Sequence, residues 1–193
     1  MRVLIIYAHP DRNSFNHAIL SQIKHGLEDG KHAFTIIDLY EEKFNPVLIF
    51  DETTRRRDLI KDLETKHYRD MLEQADRLIF IYPVWWYGMP AILKGFIDRL
   101  FVSGFAYTNK GRYTKGLFGG KSACVIYTID SPPWFVKLFR RNIEWITIRD
   151  AILKYCGIKR VKRMMFAGVK NSSLARRQKW LNFIYNQAFK GFN

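Results

Sequence analysis

An α/β fold built on a parallel sheet is the class this sequence predicts, and three observations predict it. Strand-like and helix-like segments alternate along the chain, the pattern that strand–helix–strand units produce. The strand-like segments include continuous apolar runs, Val3-Leu4-Ile5-Ile6-Tyr7 and Leu78-Ile79-Phe80-Ile81, as strands covered on both faces require. The connections after these two runs are chemically unusual, one polar and one aromatic. In an open parallel sheet, ligands sit outside the carboxyl ends of the strands, where both connections would lie.

The elements follow in order. Val3 to Tyr7 is the first strand, and Ala8-His9-Pro10-Asp11-Arg12-Asn13-Ser14 is a polar loop. A helix runs from Phe15 to about residue 29, with Ile19, Ile23 and Leu27 every four residues and Asn13 or Ser14 as the natural N-cap. Residues 33–38 read as the second strand, and residues 40–52 as a loop broken at Asn45-Pro46. Residues 54–75 are charged and helical, with Leu59, Leu63, Met71 and Leu72 as the apolar side. Residues 77–82 give the third strand, 90–100 the third helix, 121–128 the fourth strand and 161–167 the fifth. Residues 143–155 and 173–189 are the last two helices.

Three loops carry the chemistry. The first places Ser14, Asn16 and His9 at a helix start, where free backbone N–H groups could hold a phosphate without a glycine cradle. An ordinary helix cap with a surface histidine is the plainer alternative. The second loop is Tyr82-Pro83-Val84-Trp85-Trp86-Tyr87-Gly88-Met89-Pro90. Its consecutive aromatics are costly to leave in water and make sense beneath something flat, a flavin being the first hypothesis. A core or dimer plug is the alternative. The third loop, Thr128-Ile129-Asp130-Ser131-Pro132-Pro133-Trp134, follows the fourth strand, and its prolines and aromatics suggest a stiff apolar wall. Asp130 there could orient a flavin or substrate group, or simply make a turn.

The segments YAHPDRNSFNHAIL, YPVWWYGMPAILKGFIDRLF and SGFAYTNKG resemble the flavodoxin-like NAD(P)H:quinone oxidoreductases. That family includes small bacterial NAD(P)H dehydrogenases and the ancillary flavoproteins of potassium-efflux systems. The likeness is closest over residues 80–120 and extends in order and spacing over nearly the whole chain. It implies one flavodoxin-like domain over residues 1–193, with a doubly wound five-stranded sheet in the order 2-1-3-4-5 and helices on both faces. It implies that His9, Ser14, Phe15 and Asn16 hold the flavin phosphate and ribityl region. It places Pro83, Val84, Trp86 and Tyr87 along the isoalloxazine edge, with Trp85 among them, and Thr128 and Asp130 on the third side. Tyr107 matches an aromatic that reaches the partner subunit's active site in family homodimers, a core tyrosine being the alternative.

The implied function is transfer of two electrons from NAD(P)H through FMN, or alternatively FAD, to a quinone-like acceptor. The short stretch between Phe50 and Tyr68 and the altered third loop lean to FMN. That loop lacks the paired glycines of the quinone-reductase branch, and its tyrosine–histidine pair has no placed counterpart here. The alternative function is a regulatory flavoprotein subunit of a potassium-efflux-type transporter, with a membrane-protein partner.

Composition bounds these readings. At 193 residues, 48% apolar and 16% aromatic, the chain can bury a sizeable core. No apolar run approaches membrane-span length, and Met1-Arg2-Val3 enters a strand without a signal-like segment. A cytoplasmic location is the expectation. Cys124 and Cys156 form neither a metal pattern nor a disulfide framework and read as buried thiols. His17, His25, His32 and His67 read as solvated, with no metal-ligand arrangement. The net charge is +14, yet no nucleic-acid-binding motif accompanies it, so a solvated basic surface is expected, with no nucleic-acid partner.

Overall fold

The computed structural model describes residues 1–52, 55–109 and 113–192. In chain order the elements are β1 (Arg2–Tyr7), α1 (Phe15–Asp29), β2 (Ala33–Asp38), a 3₁₀ turn (Arg56–Lys61), α2 (Lys66–Gln74), β3 (Arg77–Pro83) and α3 (Ala91–Leu100). A small hairpin of β4 (Tyr107–Thr108) and β5 (Lys115–Gly116) follows, then β6 (Ser122–Ile129), α4 (Pro133–Leu138) and α5 (Ile143–Ile146). The helix of α5 continues as a π-helical stretch (Thr147–Lys154), and β7 (Arg160–Ala167) and α6 (Leu174–Phe189) complete the chain.

Five parallel strands lie in the order β2-β1-β3-β6-β7, which is the expected 2-1-3-4-5 once the hairpin is set aside. Successive strand residues point to opposite faces. Val3, Ile5 and Tyr7 therefore pack with α1 and α6 on one side, while Leu4 and Ile6 pack with α2 and α3 on the other. Both sets are buried, which is why β1 reads as one continuous apolar run. On α1, Ile19, Ile23 and Leu27 are fully buried, each contributing roughly 1.5–3 kcal/mol relative to exposure. The edge strand β7 alternates exposed and more buried positions over its first half, as a half-covered strand should.

The expected helix over residues 54–75 is corrected: Thr54 lies outside the described residues, and the remainder is a 3₁₀ turn, a corner and α2. Side chains take over the backbone groups that a continuous helix would use. Arg69 donates to the carbonyls of Leu59 (3.3 Å) and Asp62 (2.6 Å), and Thr65 Oγ1 donates to Asp62 Oδ2 (3.0 Å). Leu63, expected on the apolar side, is turned out and 82% exposed at this corner, whereas Leu59 and Leu72 are buried. Arg99 on α3 secures the corner with hydrogen bonds to Asp62 (2.8 Å), Glu64 (2.8 Å) and the Asn45 carbonyl (2.7 Å). The Asn45-Pro46 break seats against Gly95, where a Cβ would come within 2.3 Å of Pro46.

Candidate functional site

Register sets the geometry. Pro83, the last residue of β3, pairs with Thr128 of β6, so the loops after these strands leave the sheet side by side. The Val84 N–H donates to the Thr128 carbonyl (2.8 Å), and Asn16 Nδ2 on α1 donates to Thr128 Oγ1 (2.9 Å). The His9 ring lies 6.2 Å from that of Trp85. The structure thus brings the expected His9, Asn16, Val84, Trp85 and Thr128 together at the carboxyl end of the sheet.

Ser14 is the N-cap of α1, its hydroxyl accepting from the His17 N–H (3.2 Å), which settles the choice between Asn13 and Ser14. The N–H groups of Phe15 and Asn16 follow directly, at positions a helix cannot satisfy internally. The Phe15 ring packs against Phe166 and Trp180 at 6.2 and 5.8 Å, which fixes the helix start. Asn16 is buried, and its Oδ1 has no partner among the described residues. Burial holds the His9 pKa below the ordinary imidazole value. His9 Nδ1 lies 3.0 Å from the Asp11 backbone nitrogen and 3.1 Å from the Asp11 carbonyl oxygen, which ties the ring to its own loop.

The aromatic loop is a tight turn. Trp85 and Gly88 exchange backbone hydrogen bonds of 3.0 and 2.9 Å across Trp86 and Tyr87. Both central residues are left-handed, with φ of 52° and 57°. This is the type I′ geometry that asparagine and glycine ordinarily supply. Each L-residue so held costs roughly 1–2 kcal/mol. Trp86 is completely exposed. Of the N–H groups in this loop, those of Val84 and Trp85 are taken by the Thr128 and Gly88 carbonyls. Those of Trp86 and Tyr87 have no partner among the described residues.

Two residues not singled out from sequence complete the wall. Tyr87 Oη lies 2.8 Å from Ser131 Oγ, and the Arg140 guanidinium sits 4.9 Å from the centre of the Tyr87 ring. The Ser131 hydrogen bond, with Arg140 beside it, lowers the Tyr87 pKa. Arg140 comes from the turn after α4, whose pairing with the aromatic loop leaves no local sequence signal. His17, expected to be solvated, is corrected: it sits against Tyr7 at 6.1 Å, with Nδ1 buried and unpartnered among the described residues. Burial pushes the Tyr7 hydroxyl up to about 12, with Ser14 opposing.

Asp130 is exposed at the end of β6 and pairs with nothing among the described residues. Tyr107 stands apart from this constellation. Its ring meets Tyr155 at 5.0 Å in a 280 Å³ cavity that also touches Ile97 and Cys156. Lys110 and Gly111, the end of the segment containing Tyr107, lie outside the described residues.

The donors and acceptors present suit a flavin. Free N–H groups at the start of α1 match a phosphate, and the buried unpaired Asn16 Oδ1 matches a ribityl hydroxyl. The aromatic turn offers two free N–H groups for the polar atoms of a flat ring. Among the described residues no histidine, cysteine or carboxylate cluster could hold a metal ion.

Known proteins share this architecture. An uncharacterized NAD(P)H oxidoreductase of Haemophilus influenzae is 36% identical over 88% of this chain and 85% of its own length. NAD(P)H dehydrogenase (quinone) 1 of Cavia porcellus is 31% identical over 87% of this chain and 69% of its own length. A crystal structure of a Streptococcus mutans protein superposes with a TM-score of 0.92 and 42% identity, covering 98% of this chain and 100% of that one. Residues 1–183 match the profile of the flavodoxin-like fold family. Sheet order, profile and relatives agree, and the chain belongs to the flavodoxin-like NAD(P)H oxidoreductases.

Proposed function

We propose that this oxidoreductase uses a flavin, FMN before FAD, to pass two electrons from NAD(P)H to a quinone or similar acceptor. The observation that carries the reading is the turn at Trp86 and Tyr87, two left-handed aromatics with free N–H groups and one indole wholly in water. Such strain persists at sites where the geometry itself is used. When bound, a flavin would supply two-electron hydride chemistry between NAD(P)H and the acceptor, one proton from solvent balancing hydride transfer to give the quinol.

The protein's own contribution is alignment. The N–H groups of Phe15 and Asn16 would receive the phosphate, and Asn16 Oδ1 a ribityl hydroxyl, with the His9 imidazole as a further partner. Trp85, Trp86 and Tyr87 would line the ring edge, and Trp86 and Tyr87 N–H groups would stabilise negative charge developing there. Donor and acceptor would use the same face of the ring in turn, so ping-pong kinetics are expected. Tyr107 would act across a homodimer, positioning substrate in the partner's site.

Titration of apoprotein with FMN and with FAD, followed by quenching of flavin fluorescence, tests the pocket. One FMN per chain is expected, bound at least about tenfold more weakly by Asn16→Ala, a loss of about 1.4 kcal/mol. Binding of neither flavin, or affinity indifferent to Asn16, would overturn the assignment.

A further inference from the structure

The surface beside the candidate site carries an unusual pairing of exposed apolar and cationic side chains. Trp134 (59% exposed), Leu138 (67%), Phe139 (65%), Ile143 (53%) and Ile146 (44%) all stand in solvent on the corner formed by α4 and α5. Trp134 and Leu138 are four residues apart and share one helix face. The Trp134 ring lies 6.2 Å from that of Phe139, which stacks on Phe135 at 5.2 Å. Lys137, Arg140 and Arg141 are exposed among them. Residues 131–143 contain no acid. The next one, Glu144, is withdrawn into the core, where Arg163 and Tyr127 each donate to it at 2.8 Å.

We propose that the α4–α5 corner is a docking surface for an anionic lipid bilayer. Tryptophan and phenylalanine favour the headgroup boundary, aliphatic side chains the acyl edge just below, and lysine and arginine the anionic phosphates. Three exposed cations against one flanking exposed acid, Asp130, and the net charge of +14 give the charge complementarity. A second copy on the same face would bring two sets of Lys137, Arg140 and Arg141 into one interface, with residues 131–143 offering no acid to offset them. A nucleic acid would leave Leu138 and Ile143 without a partner. The corner adjoins the candidate site through Arg140 on Tyr87. A docked bilayer would therefore present the site mouth to acceptors dissolved in lipid. That consequence rests on the proposed function, whereas the docking does not.

Co-sedimentation with vesicles tests the proposal. Wild-type protein is expected to pellet with phosphatidylcholine containing about one third phosphatidylglycerol, less so in high salt, and not with phosphatidylcholine alone. Lys137→Glu with Arg141→Glu should weaken partition at least about tenfold. Trp134→Ser with Phe139→Ser should weaken it as well. Arg56→Glu with Arg57→Glu makes the same charge change on another exposed stretch and should leave partition within about twofold. Circular dichroism checks folding, and the charge pair decides alone if the aromatic pair does not fold. Failure of wild type to pellet would overturn the proposal. Equal loss in both charge variants would also overturn it, because net charge would then be responsible. So would a dimer in gel filtration that only the aromatic variant dissociates, without vesicle binding by wild type, because a second copy would then cover the corner.

Discussion

Trp86 combines full exposure with a left-handed backbone, and neither property helps an isolated chain fold. Trp86→Gly should relieve the strain and leave apoprotein stability unchanged or raised by up to about 1 kcal/mol in urea unfolding, while weakening flavin binding at least about tenfold. Marked destabilisation would mean that the indole supports the fold instead. Thr128 has the opposite character. Thr128→Val removes the acceptor for Asn16 Nδ2, whose Oδ1 is already unpaired, and should cost about 1–3 kcal/mol by the same measurement. The sequence displayed both residues because their types are conspicuous. It could not display Arg140 over Tyr87, or the paired left-handed angles, because tertiary contacts and the hydrogen bonds between Trp85 and Gly88 fix them.

Elements whose stability comes from their own periodicity were legible. The α1 helix starts after its serine cap and buries the predicted Ile19, Ile23 and Leu27. The segment after β2 was not legible, because a residue on α3 decides it. Arg99 has only 7% of its side chain exposed and satisfies Asp62, Glu64 and the Asn45 carbonyl. Burial alone would raise the Asp62 pKa, but hydrogen bonds from Arg99 and Thr65 together hold it below the usual carboxylate range. Arg99→Ala strands these acceptors and should cost about 3 kcal/mol or more, read as a lower urea midpoint, with Arg99→Lys recovering only part. A loss below about 1 kcal/mol would show the corner to be held mainly by Arg69. The six-residue α4 and the two-residue strands β4 and β5 are too short for periodicity to reveal them.

At the scale of the molecule, the parallel sheet was legible because both its faces are covered, and its strand order came through family resemblance rather than pattern. The same double covering buries titratable groups in the core. Burial pushes the Cys124 and Cys156 thiols from 9.0 to about 12 and raises the Tyr82 and Tyr127 hydroxyls. The unfolded chain releases these protons first, so the folded state binds more of them above about pH 9 and loses stability as pH rises toward 12. The urea midpoint should be level near neutrality and fall above about pH 9, less steeply in Cys124→Ala; a level midpoint through about pH 11 would contradict this. On this reading the joined loops form a flavin site serving NAD(P)H and a quinone. An anaerobic visible spectrum of protein reconstituted with FMN or FAD, taken before and after NADPH or NADH and again after a quinone, tests it most directly. Flavin bands should bleach with the nicotinamide and return with the quinone; bands indifferent to both nicotinamides, or no bound flavin at all, would show that the joined loops do not form such a site.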